Sequence, residues 1–210
     1  MPIETEHLFI YHIPKTGGCW VRYALVELKV RHQRVGAQHG WDNPPAGKTG
    51  VCFVRNPLTW YVSVWATAQS ASRSQLAVQP IHDIEQELKN NWTRLAYLNK
   101  LAARYDFKDF LTRVTAEAPG MYGAFCEPYV SRSRRVGTTE NIREDVFLIA
   151  VHEDVDAKKA HKFTSESELV NVSPDEAKSR CVYDDDMKET VMVAERKMFE
   201  RWGYDDKRPI

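Results

Sequence analysis

An unbroken apolar run, Leu8-Phe9-Ile10-Tyr11, leads into His12-Ile13-Pro14-Lys15-Thr16-Gly17-Gly18-Cys19-Trp20, and a helical pattern leaves it. The run does not alternate, so residues 7–13 read as a strand buried on both faces. Downstream, Trp20, Val21, Ala24, Leu25 and Leu28 fall on one face of a helix. A helix N-terminus offers unpaired backbone N–H groups and the positive end of the helix dipole. Gly17 and Gly18 let the backbone close around an anion without a Cβ in the way, and Lys15 adds a full charge. A strand, turn and helix of this make form a cradle for a phosphate-like or sulfate-like oxyanion.

The same unit recurs. Gly50-Val51-Cys52-Phe53-Val54 is a second apolar strand, and it ends at Arg55-Asn56-Pro57. Asn56 suits an N-cap and Pro57 the first helical position. A helix over 57–68 then carries Leu58, Tyr61, Val62, Trp65 and Ala66. Arg55 stands at the hinge, and its long side chain can reach along the helix toward Ser63, a feasible two-point grip on one anion.

Between the two units, 35–41 reads as a brief strand ending at His39-Gly40, and Asp42 to Gly47 as a turn. The basic stretch Arg31 to Arg34 suits the end of the first helix. Residues 70–80 are small and polar and read as a loop. Ile84, Leu88, Trp92, Leu95 and Ala102 predict a long helix over 81–104, and Phe107 to Val114 a shorter one stopped by Pro119-Gly120. Val146 to Val151 reads as a third strand ending at His152-Glu153-Asp154. Met187, Val191, Ala194, Met198 and Trp202 predict one closing helix, with Gly203 as its stop. Strands separated by helices predict an α/β fold, a mainly parallel sheet flanked by helices, with a helical cap or insertion around 81–125. No boundary breaks the chain, so 1–210 reads as one domain.

Composition narrows the function classes. Lys plus Arg and Asp plus Glu both number 29, so the formal net charge is zero. General binders of nucleic acid or of membrane surfaces are usually basic, and neither partner is expected. The first apolar run is about six residues, against roughly 20 for a membrane span. No secretion signal is evident, and the four cysteines, Cys19, Cys52, Cys126 and Cys181, lack CxxC pairing. They read as reduced thiols in a cytoplasmic protein, with no metal site. The triplets Asn91-Trp92-Thr93 and Asn171-Val172-Ser173 then read as chance occurrences.

The two motifs together resemble a family. His12-Ile-Pro-Lys-Thr-Gly-Gly is similar to the 5′-phosphosulfate loop of carbohydrate-type sulfotransferases, and Val54-Arg55-Asn56-Pro57-Leu58 with Ser63 is similar to their 3′-phosphate site. Asp106-Phe107-Lys108-Asp109-Phe110 and Phe199-Glu200-Arg201-Trp202-Gly203-Tyr204 resemble a helix start and the closing helix of the same family. Thr59 and Trp60 stand where relatives usually carry a second basic residue, and Cys19 where many carry Thr or Ser.

The resemblance implies a P-loop-like α/β fold. It implies transfer of a sulfuryl group from 3′-phosphoadenosine 5′-phosphosulfate to an acceptor hydroxyl, with no metal in the chemical step. Lys15 would contact the bridge between phosphate and sulfate. Thr16, Gly17, Gly18, Cys19 and Trp20 would wrap the 5′-phosphate through backbone N–H groups, Thr16 adding its hydroxyl. Arg55 and Ser63 would hold the 3′-phosphate. The acceptor would be a carbohydrate or another small molecule.

The acceptor hydroxyl must lose a proton, and a histidine suits that step. His39, between the two motifs, is the first choice. His12 and His152 are the rivals. Trp41 could stack on an acceptor ring, and Ser131 to Arg135 could rim the site for an acidic sugar, if it is not simply a solvated loop. Glu153 and Asp154 read as a helix cap or a second base. A P-loop nucleotide phosphotransferase or NTPase is the alternative enzyme, but G-x-x-x-x-G-K-[ST] is missing, the lysine here preceding the glycine pair. A non-catalytic nucleotide-binding protein of the same fold is the other alternative.

Overall fold

The computed structural model describes residues 1–36, 42–69, 81, 83–170 and 175–205. The chain divides into two compact units, Met1–Arg55 with Cys126–Val172, and Asn56–Phe125 with Ser173–Ile210.

The first unit is α/β around a mixed five-stranded open sheet. Its strands are β1 (Ile3–Glu4), β2 (Leu8–Ile10), β3 (Gln33–Arg34), β4 (Thr49–Val54) and β5 (Arg135–Thr138), in spatial order β3-β1-β2-β4-β5. Only β2-β4-β5 are parallel. β1 pairs antiparallel with both β2 and β3. The expected mainly parallel sheet is therefore corrected to a parallel centre with an antiparallel edge. The reversal is local: Thr5 turns the chain from β1 into β2, its backbone N–H donating to the Leu8 carbonyl and its hydroxyl accepting from Leu8 N.

Helices α1 (Gly18–Glu27), α7 (Ile142–His152) and α8 (Ala157–Glu166) complete this unit. Leu8, Ile10, Val51 and Phe53 alternate onto one sheet face. There they meet Trp20, Val21, Ala24 and Leu25 of α1 and Ile142, Val146, Ile149 and Ala150 of α7 in one buried cluster. Phe9, Cys52 and Val54, on the opposite face, are buried as well. That is why both strands read as continuous apolar runs.

Two expectations fail in this unit. Residues 146–151 are not a third strand but the body of α7. Ile142, Val146, Ile149 and Ala150 share the inward helical stripe, whereas Leu148 and Val151 are 51% and 39% exposed. The third parallel strand is β5, inside the segment read as a basic loop. Residues 31–34 do not end α1 either: the helix stops at Glu27, and Gln33 and Arg34 form edge strand β3. Residues 35 and 36 are not in a strand, and the rest of the strand expected over 35–41 lies outside the described residues, with His39 and Trp41 in it.

The second unit is helical: α2 (Pro57–Ala68), α3 (Ile84–Glu87), α4 (Asn91–Arg104), α5 (Phe107–Glu117), the first half of α6 (Met121–Val130), α9 (Asp175–Ser179), α10 (Asp185–Ala194) and α11 (Arg196–Trp202). The single helix expected over 81–104 is two, because Asn90 caps a fresh start, accepting from the backbone of Trp92 and Thr93. The closing helix is likewise two, broken at Glu195, with Gly203 ending the second at φ 62°. An aromatic core of Trp60, Tyr61, Phe110, Tyr122 and Phe125, all buried, holds the unit together. The Trp60 and Tyr122 rings are 4.4 Å apart.

Candidate functional site

Parallel strands β2 and β4 deliver their C-terminal ends side by side, the usual place for a ligand in an α/β sheet. From β2 the chain runs through Ile13 and Pro14 into a turn over 14–17 and then into α1. Lys15 adopts φ 69° and Gly17 φ 84°. A left-handed lysine is uncommon and costs about 1–3 kcal/mol of strain, which the surrounding structure must impose. Such backbone reversals make concave nests of N–H groups that suit anions.

Packing holds the turn open. A Cβ on Gly17 would lie 2.2 Å from Ile142 Cδ1, and one on Gly18 would lie 2.7 Å from His12 Nδ1. The space left by the missing side chains is thus filled by protein, and the turn's shape depends on α7 and on the His12 ring. Gly17 serves as N-cap with no side-chain cap bond, and no acid stands in the first turn of α1. Among the described residues, no acceptor pairs with the backbone N–H of Gly17 or Gly18.

Other members of the expected cradle are committed elsewhere. Thr16 is 1% exposed, and its hydroxyl donates to the Ile13 carbonyl at 2.9 Å. It ties the turn together. The Trp20 backbone N–H bonds to Gly17 O at 2.9 Å, and its indole, buried, donates to the Glu168 carbonyl at 3.1 Å. The Arg143 guanidinium lies 5.6 Å from that ring and donates to the Ser167 carbonyl at 2.8 Å. Trp20 therefore anchors α1. Cys19, half-buried, occupies the second helical position.

Arg55 follows the last residue of β4 and turns toward this loop. Its Nη1 donates to the Lys15 carbonyl at 3.2 Å. The structure thus brings Lys15, Gly17, Gly18 and Arg55 together. Ser63 belongs to the second unit, buried at 6% on α2, its carbonyl accepting from the Thr67 hydroxyl at 2.7 Å. Asn56 caps α2 as its sequence implies, accepting from Leu58 N at 2.9 Å.

The histidines separate clearly. His12 stands against Gly18 in the loop. His152 is not at a strand end but in the last turn of α7, its ring 5.7 Å from that of His7. His7 precedes β2 whereas the loop follows it, so His152 sits by the opposite end of the strands from the loop. Glu153 is a helix cap, at the C-terminus of α7, and its carboxylate accepts from the Thr5 hydroxyl at 2.6 Å and from His7 N, while Asp156 caps α8. His39 lies outside the described residues.

The segment 131–135 also changes meaning. Arg134 N donates to Gly50 O at the start of β4, and Arg135 opens β5. The cluster therefore sits at the N-terminal edge of the parallel strands, away from the loop, and Arg132 folds back to the Pro128 carbonyl at 2.8 Å.

What the residue pattern missed is the far end of β5. The Thr139 hydroxyl donates to Val54 O at 3.1 Å, tying β5 to the residue before Arg55. Thr138 N donates to Asp145 Oδ2 at 3.0 Å, and burial raises the Asp145 carboxyl above its ordinary value. The acidic pair Glu144 and Asp145, in the first turn of α7, was the available signal.

Among the described residues, no cluster of histidine, cysteine or acid could hold a metal ion, and no helix is long and apolar enough to cross a membrane. The four cysteines are thiols. No family model, curated protein or solved structure matches this chain.

Proposed function

We propose that the chain is a sulfotransferase of P-loop-like build, moving a sulfuryl group from 3′-phosphoadenosine 5′-phosphosulfate to an acceptor hydroxyl on a carbohydrate. The observation that carries this reading is the Arg55 guanidinium on the Lys15 carbonyl, at the mouth of parallel strands and beside a strained turn with uncapped N–H groups. Two cations and a helix N-terminus on one turn are arranged for an anion of more than one charge.

The chemistry follows from that arrangement. As the S–O bond to the leaving phosphate breaks, negative charge grows on the bridging oxygen, and a new S–O bond forms to the acceptor. Lys15 and the N–H groups of Gly17, Gly18 and Cys19 stabilise that charge without rearranging. Placement and electrostatics supply most of the catalysis, as in phosphoryl transfer. Arg55 holds the second phosphate. Ser63 as its partner and His39 as the base that takes the acceptor's proton are carried by the sequence resemblance. Thr16 enters through its backbone, since its hydroxyl is spent on Ile13.

The test is thermal shift with 3′-phosphoadenosine 5′-phosphate, ADP and ATP, without added metal. The 3′-phosphorylated ligand should give the largest shift, and Arg55→Ala should abolish that preference. Equal shifts from ADP, or none from any ligand, would sink the reading.

A further inference from the structure

The end of β5 holds a polar atom without a use in the fold. Thr138 Oγ1 is buried and finds no hydrogen-bond partner among the described residues. A hydroxyl left this way is costly, and an orphan of this kind in a well-satisfied fold calls for a cause. Ser167 Oγ and Trp202 Nε1 are orphaned as well, but only Thr138 stands at the strand ends beside the loop, and its neighbours are otherwise engaged. Thr139, the next residue, spends its hydroxyl on Val54 O, and the backbone N–H of Thr138 itself is taken by Asp145.

The register places this hydroxyl. Thr138 pairs with Val54 in the parallel ladder, so its Cα stands about 6 Å from that of Arg55, one strand across and one residue back. A Cβ on Gly137 would meet Asp145 of α7 at 2.5 Å. Successive side chains alternate across a strand, so Thr138 projects to the sheet face opposite α7, the face it shares with Val54.

We propose that the Thr138 hydroxyl is a ligand-binding group that donates to an anionic oxygen held by Arg55. The inference rests on the reading above and deepens it: the anion gripped at the strand ends would be met from three parallel strands, by the loop after β2, by Arg55 after β4 and by Thr138 closing β5. The oxygen belongs to a phosphate or sulfate group.

Thr138→Val removes the hydroxyl and keeps the branched shape, whereas Thr138→Ser keeps the hydroxyl. Wild type and both variants are titrated by calorimetry with 3′-phosphoadenosine 5′-phosphate and, separately, with inorganic sulfate, and are melted without ligand. Thr138→Val should weaken nucleotide binding about tenfold, as loss of a bond to a charged group does, and Thr138→Ser should restore it. Without ligand, Thr138→Val should melt at or above wild type, having no protein partner to lose. Unchanged affinity for both probes in Thr138→Val overturns the proposal, as does a lowered unliganded melting point that Thr138→Ser rescues. If wild type binds sulfate but does not prefer the 3′-phosphorylated nucleotide, weaker sulfate binding by Thr138→Val keeps the Thr138 contact while the cosubstrate reading falls. No binding of either probe by wild type removes both.

Discussion

The N-termini of α1 and α6 face the same electrostatic problem and meet it in opposite ways. At α6 the chain supplies its own anion. Glu195, 1% exposed, accepts from Tyr122 N at 2.9 Å, from Gly123 N at 3.0 Å and from the Tyr61 hydroxyl at 2.6 Å. Its carboxylate satisfies the first-turn donors of α6 and breaks the helical tail into α10 and α11. At α1 no acid stands in the first turn. The cap is a left-handed glycine, the neighbouring charges are Lys15 and Arg55, and the turn is strained. A helix end closed by the protein's own carboxylate is architecture, whereas one flanked by Lys15 and Arg55 is what the proposed function needs.

The largest expected effect is at the closed end. Glu195→Ala leaves three donors, two of them buried, without an acceptor and should cost about 3–5 kcal/mol, the range for breaking a buried charged network. Urea unfolding measures it, and a loss below about 1 kcal/mol would erase the architectural half of the comparison. Next comes the open end. Gly17→Ala must adopt φ 84° and displace Ile142 Cδ1, so about 2–4 kcal/mol should be lost. The thermal shift given by 3′-phosphoadenosine 5′-phosphate should vanish with it. Full stability in Gly17→Ala would show that the left-handed turn is not required.

The smallest effect concerns pH. Burial, the largest influence on Glu195, holds its carboxyl above the ordinary value of 4.5, against the pull of its three donors. The folded chain then keeps this proton to higher pH than the unfolded chain does. Its contribution is full below the ordinary value and is lost as pH rises through the raised one. Wild type should therefore lose stability relative to Glu195→Gln as pH rises above the ordinary carboxyl value of 4.5. Parallel curves for the two proteins would contradict this.

Local chemistry decided what could be read from the sequence. The loop was legible because Lys15, Gly17 and Gly18 follow an apolar run that cannot alternate, and α2 because Asn56 and Pro57 are a matched cap and first residue. Asp106 likewise caps α5, accepting from Asp109 N at 2.9 Å. The failures came where long-range packing overrides a local pattern. Val146 to Val151 has the composition of a strand, yet its inward stripe continues from Ile142, and the turn at 139–141 starts a helix. Strand β5 hid because Arg135-Val136-Gly137-Thr138 has little apolar character. Gly137 is there because Asp145 and Phe53 occupy the space of its side chain. The cradle's inner members were legible as a motif but not in their roles, since nothing in the order of residues says that Thr16 and Trp20 spend their donors on the fold.

Position 15 carries a lasting conflict. A glycine there would relax a left-handed turn at φ 69° and return about 1 kcal/mol of strain, while deleting the charge. Random libraries screened for heat resistance should accumulate changes at Lys15, and, on the function proposed above, libraries screened for sulfuryl transfer should purge them. The site would thus announce itself as the place where two selections disagree.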